Sequence, residues 1–87
     1  MSAYTFRHFT VREDIIQALH DYAWLRVPLG DFLRAVVSNN LFDAIGRADD
    51  DNLANMPAIV GYVYNEMPSQ CWGSPAHYKA WVKNEAA

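Results

Sequence analysis

Apolar positions along the chain fall into short runs at helical spacing, separated by polar or proline-containing breaks. Ile15, Ile16, Leu19, Tyr22 and Ala23 share one side of a first helix. Thr10 followed by Glu13 reads as a capping box at its start, in which each side chain takes up a free backbone N–H of the first turn. Pro28 closes that run. Gly30-Asp31 opens a second helix, on which Leu29, Leu33, Val37, Leu41 and Ile45 form a ridge with Val36 and Ala44 beside it. The polar Ser38-Asn39-Asn40 is placed to break this stretch into two short helices, and Gly46 to end it. A third helix begins at Asp49-Asp50-Asp51, where carboxylates meet the positive end of the helix dipole. Leu53, Met56, Val60, Val63 and Met67 line its apolar face. Pro57 is out of place inside it, so either the helix kinks there or Asn55 caps a fresh start. Pro68 ends this helix, and Ser69 to Gly73 is a loop. Ser74-Pro75 then starts a last helix, with a hydroxyl cap and a proline at the first position. Tyr78, Trp81 and Val82 are its buried side.

The opening Tyr4-Thr5-Phe6-Arg7-His8-Phe9 half-alternates and reads as a short strand or an extended arm that packs its rings on something else. The expected fold is therefore all-α: a compact bundle of four or five short helices with an extended N-terminal arm. Residues 1–87 form a single domain, with 1–9 as the arm and 10–87 as the helical core. No internal repeat, linker or low-complexity segment interrupts it.

Composition changes this picture in one respect. A chain of 87 residues that is 52% hydrophobic and 14% aromatic carries more apolar surface than a small interior readily hides. Cys71 is the only cysteine, so neither an internal disulfide nor a cysteine-rich zinc site can supplement the core. Self-association is the remaining supplement, and a homo-oligomer (a dimer or higher) is expected. The net charge of −3 and the scattered basic residues, no two of them adjacent, argue against a nucleic-acid binder. No signal-peptide pattern or membrane-length apolar run is present, and a lone cysteine suits a reducing compartment. A cytoplasmic location with no membrane partner follows as the expectation.

Signatures of catalysis are weak. The Asp49-Asp50-Asp51-Asn52 cluster lacks the glycine and the distal glutamate of a calcium loop, and its plain reading is a solvated helix start. Cys71 has His77 six residues on, with His8 and His20 elsewhere, but nothing in the spacing makes any of them its base. The three histidines lack metal-ligand spacing, and the four glycines form no phosphate loop. The expectation is no enzyme, no catalytic residue, no metal and no cofactor.

A more informative set lies among the apolar positions. Arg34, Asn40, Arg47, Tyr62, Tyr64, Asn65 and Trp72 offer guanidinium groups for phosphate, aromatic faces for a base and amides to read its edge. Arginine beside aromatics is equally the make-up of a protein-interface hot spot.

Three stretches carry a resemblance. They are Pro28-Leu29-Gly30-Asp31-Phe32-Leu33-Arg34-Ala35-Val36-Val37-Ser38-Asn39-Asn40-Leu41, then Arg47-Ala48-Asp49 with Asn52, and Ile59-Val60-Gly61-Tyr62-Val63-Tyr64-Asn65 leading through Pro68 to Cys71-Trp72-Gly73-Ser74-Pro75. Together they are similar to a group of short proteins encoded by temperate bacteriophages and prophages. The likeness covers roughly residues 28–82, and the Cys-Trp-Gly-Ser loop is its most distinctive part. Its implication is a setting: a phage accessory protein acting against host defence inside an infected bacterial cell. With the polar set above, the expected function is capture of a nucleotide-derived immune signal without catalysis. Alternatives are a protein–protein inhibitor of a bacterial defence complex, of the anti-CRISPR kind, and a small hydrolase or transferase using Cys71 or the acidic cluster. A DNA-binding regulator ranks last, opposed by the low basic content.

Overall fold

A computed structural model describes residues 4–83. Residues 1–3 of the expected arm and 84–87 of the expected helical core lie outside the described residues.

The fold is mostly helical, but it is not strictly all-α. Where the arm was expected, β1 (Tyr4–Phe6) pairs antiparallel with β2 (Phe9–Val11), Tyr4 opposite Val11 and Phe6 opposite Phe9. Arg7 takes the left-handed conformation (φ 55°) that a tight hairpin turn requires. Alternation explains why strands this short hold. Tyr4, Phe6, Phe9 and Val11 share the inner face and pack into the core, while Thr5 and Thr10 face out. The hairpin thus extends past residue 9, and the capping box does not form. Thr10 is a strand residue whose N–H donates to Asn55 Oδ1 at 2.9 Å. The first helix, α1 (Glu13–Leu25), starts at Arg12 with no side-chain cap, supported by Glu13 and Asp14 in its first turn.

Five further helices follow among the described residues: α2 (Asp31–Val37), α3 (Leu41–Arg47), α4 (Asp50–Ala54), α5 (Met56–Glu66) and α6 (Pro75–Val82), with a 3₁₀ turn over Ser69–Cys71. Both sequence breaks are real. Asn39 adopts a left-handed conformation (φ 62°), and the Asn40 side chain accepts from the Asp43 N–H to start α3. Asn55 ends α4 and starts α5, which places Pro57 in a first turn where its missing N–H costs nothing. Asp49 caps α4 through the Asn52 N–H, and Ser74 caps α6 through the His77 N–H.

The core sits between α1, α2, α5, the hairpin and α6. Val11, Leu19, Tyr22, Val37, Ile59 and Cys71 are its most enclosed side chains. Gly61 lets the hairpin approach α5, because a Cβ there would stand 3.2 Å from Phe6 Cδ1. Aromatic residues fasten α6 to α1. The Tyr22 hydroxyl donates to the Cys71 carbonyl at 2.6 Å, and Trp81 Nε1 donates to the Tyr22 carbonyl at 3.0 Å. The Tyr22 and Tyr78 rings stack at 5.4 Å. Arg26 lies 3.8 Å above the Trp81 ring and donates to the Trp81 carbonyl.

Two expected ridges are interrupted. The break at Asn39 resets the helical phase, so Ala44 is the buried residue of α3, while Leu41, Phe42 and Ile45 face outward. Of the third ridge, Met56, Val63 and Met67 are buried as expected, while Leu53 on α4 and Val60 on α5 are exposed and Ile59 is buried beside them.

Candidate functional site

The outward turn of α3 leaves a groove between α2, α3, α5 and the loop carrying Trp72. The backbone fixes its walls. The Gly73 N–H donates to the Val37 carbonyl at 2.7 Å, tying the loop to the end of α2. Gly73 itself has φ 114°, a conformation that favours glycine. Trp72 Nε1 reaches the Met67 carbonyl at 3.4 Å, and its ring stands 5.7 Å from that of Tyr64.

Three depressions lie along α2, each sharing lining residues with the next. The first, about 180 Å³, is walled by Val36, Leu41, Val60, Tyr64 and Trp72, with Asn39 and Asn40 adding amides. Its lining is mainly apolar, and its volume suits one ring system rather than the roughly 300–1,000 Å³ of a drug-sized ligand site. Asn40 and Ala35 also line the second depression, about 290 Å³, which is polar and holds Asp31, Arg34, Ser38, Asp43 and Arg47. Arg34, Ser38 and Pro75 continue into the third, about 270 Å³, with Tyr78, Lys79 and Lys83.

Of the seven residues singled out from sequence, five line this groove: Arg34, Asn40, Arg47, Tyr64 and Trp72. Tyr62 instead packs edge-on against Tyr4 of the hairpin at 5.3 Å, where burial raises its phenol pKa. Asn65 is exposed and lines none of the three depressions. Both depart from expectation for one reason: α5 directs them to other sides than Tyr64.

Electrostatics separate the two arginines. Arg47 pairs with Asp43 at 3.0 Å, one turn earlier on its own helix, and with Asp31 at 3.3 Å. A phosphate reaching Arg47 would have to displace those carboxylates. Arg34 forms no ion pair among the described residues and lies 5.1 Å over the Tyr78 ring. Its guanidinium is open to the groove. The Tyr64 and Trp72 rings, tilted by 51°, are too close to sandwich a base, which needs about 7 Å, twice the carbon contact distance of about 3.5 Å. A planar ligand would stack on one outer face of the pair.

The other chemical candidates are structural. Cys71 is fully buried, and desolvation pushes its thiol up to about 11. It is a poor nucleophile at neutral pH. Asp49 is held below the ordinary carboxylate range, chiefly by the Asn52 N–H and then by Arg12, which also pairs with Asp14 and Asp51. No cluster of three or more metal-ligating side chains occurs among the described residues. His20 Nδ1 is buried without a hydrogen bond, and the nearest carboxylate, Asp21, lies 3.7 Å away.

Sequence reasoning missed Lys79 and Lys83. Their i, i+4 spacing near the end of the last helix was the available signal, because it sets both on one side of that helix. Only the packing of α6 against α2 brings them to Arg34. No helix in the described residues is long and apolar enough to cross a membrane. No protein-family model, curated protein or solved structure matches this chain.

Proposed function

We propose that this chain is a phage-encoded sequestering protein that binds a nucleotide-derived immune signal in the cytoplasm of an infected bacterium and does not alter it. The observation that carries the reading is the groove itself. A ring-sized apolar pocket beside Trp72 adjoins the Asn40 amide, and beyond it stands Arg34, which has no ion-pair partner among the described residues. A base would stack against Trp72 or Tyr64, Asn40 would hydrogen-bond its edge, and Arg34 would take phosphate as a planar fork. Arg47 would hold Arg34's surroundings in place through Asp31 and Asp43 rather than bind the ligand. The phage setting rests on the resemblance of residues 28–82. The reading as a binder rather than an enzyme is supported by a buried thiol and an acidic cluster engaged in capping.

The purified protein, incubated with cyclic dinucleotides and ADP-ribose derivatives, then denatured and chromatographed, should return at least one of them intact. Recovery of a converted ligand would make it an enzyme, and failure to retain any of the panel would sink the reading.

A second reading has its own observation. Phe42 is 90% exposed, with Leu41 and Ile45 beside it on α3. A large ring held in water by a short helix is suited to a protein contact. A defence-complex inhibitor would use this face, and so would a second copy of the chain in the expected homo-oligomer. A sizing column that gives a monomer would remove the second copy from consideration.

A further inference from the structure

The third depression differs from its neighbour in the sign of its lining. In the second, Asp31 and Asp43 balance Arg34 and Arg47. In the third, Arg34, Lys79 and Lys83 are the charged residues, and no carboxylate among the described residues lines it. The remaining basic side chains lie elsewhere. Arg12 and Arg47 sit in ion pairs and Arg26 is on Trp81, while Arg7 over Phe6 and Arg34 over Tyr78 make comparable ring contacts at 5.3 and 5.1 Å. Among the described residues, Arg34, Lys79 and Lys83 take part in no ion pair. Three cations from two helices thus line one depression without an ion-pair partner among the described residues, in a chain whose net charge is −3.

A structural explanation covers only part of this. Lys79 and Lys83 near the end of α6 meet the negative end of its dipole. Arg34 likewise stands in the last turn of α2 and meets that helix's dipole, so what the dipoles leave unexplained is that three like charges, two of them one turn apart, line one depression. Ser38 adds to the case. It is buried and lines both the second and the third depression. A fork of N–H donors, two ammonium groups and a hydroxyl together match the oxygens of a multiply charged phosphate.

We infer that this depression is an anion subsite for a phosphate chain carrying two or more charges, at the far end of the groove from Trp72. It deepens the nucleotide reading and rests on it for the ligand's base. The class of ligand it selects is a nucleotide with a pyrophosphate-type group extended away from the base, in preference to a mononucleotide. Phosphate oxygens meet Arg34 as a bidentate fork and Lys79 and Lys83 as point charges, while Ser38 donates its hydroxyl.

NMR titration of the full chain with sodium pyrophosphate, and separately with adenosine, tests the assignment. Pyrophosphate should move the amide signals of Arg34, Ser38 and Lys79, and binding should weaken as salt is raised. The double variant Lys79→Gln/Lys83→Gln, changed only at exposed positions, should weaken pyrophosphate tenfold or more and leave adenosine unaffected. Arg34→Gln should repeat the loss independently. No pyrophosphate binding, equal affinity in the variants, or shifts centred on Asp43 and Arg47 would each overturn the subsite. If pyrophosphate binds here and adenosine and the nucleotide panel do not bind, the subsite stands and the nucleotide reading falls. If adenosine binds beside Trp72 and pyrophosphate binds nowhere, the reverse holds.

Discussion

The α1–α6 side and the α3 side of this small protein are built on opposite terms. Where α6 meets α1, Tyr22, Tyr78, Trp81 and Cys71 are buried together, and the hydroxyl of Tyr22 and the indole N–H of Trp81 each find a backbone carbonyl. On α3, one residue, Ala44, is buried, and Leu41, Phe42 and Ile45 face outward. The ion pairs of Arg47 with Asp43 and Asp31 lie in solvent, where such pairs contribute little. Stability is therefore concentrated on one side. The other is less tightly packed, and the apolar pocket opens there, with Arg34 of α2 between the two sides, over Tyr78.

The largest expected effect tests the packed side. Leu19 is fully buried, so Leu19→Ala should cost about 2–5 kcal/mol in chemical denaturation. A smaller loss is expected from Tyr22→Phe. It keeps the ring stack with Tyr78 but leaves the Cys71 carbonyl without its donor, at a cost of about 1–3 kcal/mol. Unchanged stability in either variant would break the comparison at its strong end. Gly61→Ala crowds the Phe6 ring and should destabilise by about 1–3 kcal/mol, unless the hairpin shifts. Phe42→Ala should move stability by no more than about 0.5 kcal/mol. A large loss there would show that α3 carries packing that its exposure denies.

The packed side should also respond to alkali. Burial raises the Cys71 thiol from its ordinary value of 9.0 to about 11, and raises the Tyr22 phenol as well. For such groups the neutral form belongs to the fold. The stability they contribute is complete below pH 9 and is lost as the pH climbs towards 11. Denaturation midpoints measured across that window should fall, and Cys71→Ser should flatten part of the decline. Thiol reagents at neutral pH should leave Cys71 unmodified until denaturant is added.

Much of the helical framework was legible in the chain. Ile15, Ile16, Leu19, Tyr22 and Ala23 keep one helical phase, and all are buried. Ser74-Pro75 and the two asparagine breaks act through local chemistry, which a sequence displays. The hairpin was not legible as such, because three-residue strands are too short to show a period and Arg7-His8 lacks the glycine or asparagine that marks a tight turn. Thr10 looked like a cap because its actual partner, Asn55, lies far along the chain. The ridges failed at Leu41 and Ile45, beyond the restart at Asn39, and at Leu53 and Val60, while Met56, Val63 and Met67 keep the expected buried face.

The candidate site was legible in part. Arg34, Asn40, Tyr64 and Trp72 meet across the groove, as their residue types suggested. Arg47 lines it too, but the i, i+4 relation to Asp43 already hinted that it would be occupied. Tyr62 and Asn65 share α5 with Tyr64, yet lie on other sides of it. Lys79 and Lys83 needed the docking of α6 against α2, which no local pattern encodes.

On the proposed function, the less tightly packed side of the molecule is the side that binds. Mapping the amide and indole signals of the protein during titration with an ADP-ribose derivative or cyclic dinucleotide retained from the panel tests it most directly. The predicted result is a single patch of shifts spanning the Trp72 indole, Asn40 and Arg34, with Leu19 and Tyr22 undisturbed. Shifts confined to α1 and the hairpin, or no shift with any nucleotide of the panel, would contradict it.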